Sequence, residues 1–81
     1  MKSFHLSVRA ASQVGGALRR RRKLLGWSQS ELAMRSGVRQ KNISAIENGA
    51  EGMRLTTLFR VLAALNLELD VRERPQSTQA G

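Results

Sequence analysis

An 81-residue chain with no cysteine, one histidine and a net charge of +8 has room for one small domain and no side chains for a disulfide or a thiolate metal site. No apolar run nears the roughly 18 residues that cross a bilayer, the start lacks a signal-peptide core, and no general base has a partner: the reading is a cytosolic non-enzyme without a cofactor. The charge is one-sided, with twelve Lys and Arg against Glu31, Glu47 and Glu51 in residues 1–60, which favours a polyanionic partner, and two Phe, one Trp and no Tyr make that partner duplex rather than stacked single-stranded nucleic acid.

Residues 3–8, SFHLSV, alternate apolar and polar, the period of a strand. From about residue 12 to residue 25, Val14, Leu18 and Leu25 share one helical face, and the basic run 19–23 fills the outer arc. Gly15 and Gly16 each lower that helix's stability by about 1 kcal/mol relative to Ala, which close helix packing would offset, and Gly26 ends it. The second helix, 29–36, opens on a capping box of Ser28 with Glu31 and a staple of Trp27 on Leu32. It turns Leu32 and Ala33 inward and stops at Gly37.

A third helix, 39–48, has Ile43 and Ile46 inward and Gln40, Lys41, Ser44 and Ala45 nearly opposite. After the loop NGAEG, residues 48–52, Thr56 caps a fourth helix, 57–65, with Leu58, Phe59, Leu62 and Leu65 inward and Asn66 as its stop. Leu67, Leu69 and Val71 alternate with Glu68, Asp70 and Arg72 in a half-buried strand, 67–72. Residues 75–81 are polar and read as a disordered tail behind a domain of residues 1–74.

Helices of about eight residues do not persist alone in water. Two of them joined by a glycine turn form a helix-turn-helix unit, whose second helix stands out as a ridge that fits a major groove about 12 Å wide. On that ridge Gln40 can bond adenine bidentately, Lys41 can donate to guanine or phosphate, and Ser44 can bond either base. An ordinary solvated helix face would suit the same residues, but the basic excess of residues 1–60 weighs against it. A lone strand at 67–72 has unpaired edges and needs a partner. The partner is either residues 3–8 of the same chain or the same strand across a two-fold axis, and the second is favoured.

The stretch LGWSQSELAMRSGVRQKNISAIENG resembles the helix-turn-helix of the Xre/Cro-type phage-repressor family. The likeness covers about residues 14–71, is carried by GWSQSELA, RQKNIS, IEN and LTTLFRVLAALNLEL, and runs to the HipB-like antitoxin branch. The resemblance implies a mostly α domain of four helices. Its C-terminal β-strand would pair across a homodimer through Leu67, Leu69 and Val71, with residues 3–8 as a candidate flanking strand. It further implies a repressor that binds double-stranded operator DNA, autoregulates its operon as the antitoxin of a type II pair, and binds a HipA-like kinase toxin. The alternatives are a free-standing repressor without a toxin and a protein-interaction module that no longer reads DNA.

Position by position, the resemblance implies phosphate contacts from Ser28, Gln29, Asn48 and Arg54 and base contacts from Arg39, Gln40, Lys41 and Ser44. Many members have a capping Ser or Thr where this chain has Arg39, so a cap worth about 1 kcal/mol is forgone; Arg39 is expected on DNA, with base and phosphate both open. The resemblance also pairs Arg22 with Glu47, a choice the helical wheel does not make, since Arg21 lies as near the apolar face.

Overall fold

The computed structural model describes residues 3–75. Four helices follow in order: α1 (Ala11–Leu24), α2 (Gln29–Ser36), α3 (Gln40–Glu47) and α4 (Leu55–Ala64). At eight residues each, α2 and α3 persist only by packing. They bury Leu32, Val38, Ile43 and Ile46 against Leu18 of α1 and against Leu58, Val61, Leu62 and Leu65 of the α4 segment. Each such aliphatic side chain stabilises the fold by about 1.5–3 kcal/mol relative to exposure.

Three of the four helices end in the same local device. After α1 the Gly26 N–H donates to the Lys23 carbonyl at 3.0 Å and the Trp27 N–H to the Arg22 carbonyl at 3.1 Å. After α3, Gly49 and Ala50 bond the Ile46 and Ala45 carbonyls in the same way, and after α4, Asn66 and Leu67 bond those of Ala63 and Leu62. The turn residue must be left-handed; Asn66, at φ 57°, is the one non-glycine that adopts it among the described residues. In two of these turns the next residue, Trp27 or Leu67, packs back on the core, so each stop also sets the direction of the chain.

Several expectations are corrected. Helix α4 begins at Leu55 behind Arg54 and has no side-chain cap; the Leu58 N–H bonds the Arg54 carbonyl at 3.1 Å, which starts the helix ahead of Thr56. Phe59 is 48% exposed while Val61 is 1% exposed, because the core lies toward the Leu58–Val61–Leu65 edge of the helix. Leu25 is more than a third exposed because it closes α1 as its C-cap. The capping box of α2 is half made: Ser28 accepts from the Glu31 N–H at 3.0 Å, but the Glu31 carboxylate accepts from Arg35 Nε at 2.7 Å instead of reaching back. Arg35 is fixed there by the Trp27 ring, 4.3 Å from its guanidinium. The basic run is not all outward either, since Arg22 is buried and Arg21 Nε donates to the Leu65 carbonyl at 3.0 Å, closing the end of α4.

Neither expected strand forms in the single chain. No strand occurs among the described residues, although residues 4–8 line one groove together with residues 67–70 and 72–74, and His5 bonds Arg72. A ladder needs two backbones in register, and Leu69 and Val71 are left 49% and 88% exposed. Of the polar tail, residues 76–81 lie outside the described residues.

Close packing of α1 on α3 depends on one glycine. A Cβ at Gly15 would lie 2.0 Å from the Ile46 carbonyl oxygen, whereas one at Gly16 would meet nothing within 4 Å among the described residues outside its own helix backbone. Gly15→Ala is therefore expected to lower stability by about 1–3 kcal/mol through overpacking, and Gly16→Ala to raise it by about 0.5–1 kcal/mol. Urea midpoints of the two variants check this, and equal shifts would contradict the packing described.

Candidate nucleic-acid interface

The turn between α2 and α3 holds the ridge in place from below. Gly37, at φ 73°, donates to the Ala33 carbonyl at 2.9 Å, and the Val38 N–H bonds Ser36 Oγ at 3.2 Å. Val38 is buried, so the chain enters α3 with Ile43 and Ile46 inward and Gln40, Lys41, Asn42 and Ala45 exposed. Ser44 is half-buried beside them. Arg39 is the N-cap residue, exposed and without a side-chain cap bond, which leaves its guanidinium for a partner. The free N–H groups of the first turn of α3 and the four side chains at Arg39, Gln40, Lys41 and Ser44 thus form one donor-rich edge.

The other expected contacts lie at helix ends around this ridge. Ser28, exposed, caps α2 with its oxygen and keeps its hydroxyl proton to donate. Asn48 is the C-cap of α3 and Arg54 the N-cap of α4, both exposed. Gln29 is partly committed elsewhere: its Nε2 donates to Glu47 Oε1 at 3.1 Å. One amide proton, its backbone N–H and the positive end of the α2 dipole remain for an anion. Sequence reading missed this bond, and no local signal could have found it, because the two residues are 18 apart in the chain.

Beneath the ridge, Arg22 and Glu47 meet. Arg22 Nε and Nη2 donate to the two carboxylate oxygens at 2.7 and 2.9 Å, and Nη1 donates to the Trp27 carbonyl at 2.7 Å. The residues are 7% and 8% exposed, and no buried side-chain nitrogen or oxygen among the described residues lacks a partner. The hydrogen bond to Glu47 holds the Arg22 guanidinium above its ordinary pKa against the effect of burial. Burial pushes the Glu47 carboxyl up, but hydrogen bonds from Arg22 and Gln29 and the charges of Arg22 and Arg19 together hold it below its ordinary value. The pair ties the end of α1 to the end of α3, and through Trp27 and Gln29 to the start of α2.

Two short helices joined by a left-handed glycine, the second raised on a buried ion pair with its first turn polar and exposed, define a helix-turn-helix protein. The helix-turn-helix family pattern matches residues 18–71, and the chain belongs to that family, in its Xre type. Among its relatives is Antitoxin HipB of Escherichia coli strain K12, 35% identical over 83 aligned positions that cover 98% of this chain and 93% of that one. A solved HipA–HipB–O2–O3 complex matches 88% of this chain and 100% of its own with a TM-score of 0.80 at 32% identity. A HipB–O4 20-mer complex has the same coverage with a TM-score of 0.81 at 32% identity.

Removing one partner of the buried pair should leave an uncompensated charge and lower stability by about 3–5 kcal/mol. Glu47→Ala is expected to do this, while Glu51→Ala, at an exposed carboxylate, should stay within about 0.5 kcal/mol of the parent. Because folding lowers the pKa of Glu47, its contribution is complete above the ordinary carboxylate range. It is lost as the pH falls through the lowered value, since the unfolded chain then binds more protons. Urea midpoints followed from neutral to acid pH should fall less steeply in Glu47→Gln than in the parent.

Proposed function

We propose that the protein is a homodimeric, operator-binding repressor and the antitoxin of a type II toxin–antitoxin pair, autoregulating its operon and binding a HipA-like kinase toxin. The observation that carries the reading is the exposed polar first turn of α3, held on a buried core and ion pair, in a fold shared with HipB over nearly the whole chain. Such a protein works in the cytoplasm, where its operator lies. Among the described residues no helix is long and apolar enough to cross a membrane. The role is one of binding and not of catalysis.

In this reading α3 enters the major groove and reads base edges through Gln40, Lys41 and Ser44, with Arg39 beside them on a base or a phosphate. Ser28, Gln29, Asn48 and Arg54 hold the flanking phosphates, the α2 N-terminus adding its dipole. The dimer forms when residues 67–72 of two copies pair antiparallel across a two-fold axis, with residues 3–8 alongside. Support comes from the backbone after Leu67, which belongs to no helix or strand, and from the exposed Leu69 and Val71. A two-fold reader places its half-sites about 34–36 Å apart, or a multiple of one helical turn.

Base and phosphate contacts must fail differently. Gln40→Ala should lose about 1–3 kcal/mol on operator DNA and relax preference at one position in each half-site. Loss of a phosphate anchor weakens operator and scrambled DNA alike and shallows the salt dependence by about one unit per contact. Arg39→Ala shows which kind of contact Arg39 makes. Affinities for both DNAs at several salt concentrations check this, and equal weakening by Gln40→Ala would remove it from the readers.

Deleting residues 67–81 should give a monomer or an unfolded chain, whereas deleting only 75–81 should keep the dimer. Sedimentation separates these outcomes, and a dimer that survives the longer deletion would put the interface elsewhere. The free-standing repressor takes over if no HipA-like gene adjoins this one and depletion of the protein is harmless.

A further inference from the structure

Gly15 and Gly16 stand side by side in α1, and the fold accounts for only the first. Gly15 lets α3 approach, but among the described residues nothing beyond the surrounding helix backbone comes within 4 Å of a Cβ at Gly16. A glycine inside a helix loses backbone entropy relative to alanine, so Gly16 weakens α1 without any contact in return. Around it the outer face of α1 forms a shallow recess of about 420 Å³ lined by Gly16, Arg19, Arg20, Lys23 and Leu24.

The three cations follow Gly16 by three, four and seven positions, which puts them on one helix face. The ion pairs among the described residues are Arg22–Glu47, Arg35–Glu31 and Arg72–Asp70, so none of the three forms an ion pair there, although the charge of Arg19 also acts on Glu47. Leu24 is 66% exposed at the edge of the recess. Phosphates would answer the cations and leave this leucine in water; a protein surface answers both. Gly15, one residue and about 100° of helix away, is the glycine that meets α3, so this face lies off the α3 ridge and leaves the ridge to DNA.

We infer that the outer face of α1 is the docking surface for the kinase toxin. A toxin segment presents carboxylates to Arg19, Arg20 and Lys23, seats a close-approaching atom on Gly16 and covers Leu24. The inference rests on the antitoxin reading above and names the surface that reading lacks.

Gly16→Leu tests it with an uncharged side chain placed where the fold has space. The full-length variant should keep or raise its urea midpoint and bind operator DNA within about two-fold of the parent, since no charge changes. Its affinity for the HipA-like kinase of the same operon, measured by calorimetry, should fall about ten-fold or more. Arg20→Glu combined with Lys23→Glu should weaken kinase binding at least as much. Unchanged kinase affinity in both variants overturns the proposal. A charge-reversed chain that loses operator affinity and keeps the kinase overturns it too, assigning the face to DNA phosphates. A parent chain that binds no kinase overturns the antitoxin reading itself, so the two failures are told apart.

Discussion

The contact between Arg22 and Glu47 orders the rest of the domain. Taking two charges out of water costs several kcal/mol per ion, and only good geometry with further hydrogen bonds offsets it. Here the guanidinium meets both carboxylate oxygens, its third nitrogen takes the Trp27 carbonyl, and Gln29 supplies a fourth bond. Apolar contacts tolerate rotation, but a bidentate pair does not. The pair therefore fixes the ends of α1 and α3 and the entry to α2 relative to one another, and these are the elements that surround the ridge.

Packing supports the same geometry from the other side. The missing Cβ of Gly15 lets the α1 backbone lie on the Ile46 carbonyl, which brings Arg22, two turns further along α1, into reach of Glu47. Arg21 turns the other way and closes α4 through the Leu65 carbonyl. Adjacent residues of one basic run thus bind the two halves of a small core together, while Arg19, Arg20 and Lys23 keep their charge at the surface. Among the described residues the core is nine buried aliphatic side chains, which gives a domain of this size little margin and is the physical reason a second copy on the C-terminal segment would matter.

A chain this small can serve several partners only by dividing its surface. The α3 ridge offers neutral and cationic donors suited to a groove. The C-terminal segment offers unpaired backbone and apolar side chains, and the outer face of α1 offers cations around a recess beside an exposed leucine. A net positive field would draw anionic surfaces toward the first and third alike at long range. Discrimination between them is left to short-range shape.

What the sequence determined by itself was local: the Ser28 cap, the left-handed stops at Gly26, Gly37 and Asn66, and the helical period of Leu32, Ile43 and Ile46 each depend on neighbours within one turn. Those signals carry the four helices, the helix-turn-helix and the exposed face of α3, and the charge distribution carries the kind of partner. The inward face of α4 was decided by where the rest of the core lay, which put Val61 inside and left Phe59 half outside. Glu31 took Arg35 in place of its own cap because Trp27 held the arginine there, and Gln29 reached Glu47 across 18 residues. Residues 67–72 carry a strand's alternation, but a strand's hydrogen bonds belong to two backbones, and one chain supplies only one of them. Such contacts depend on the directions from which distant segments arrive, and only the tertiary structure decides those.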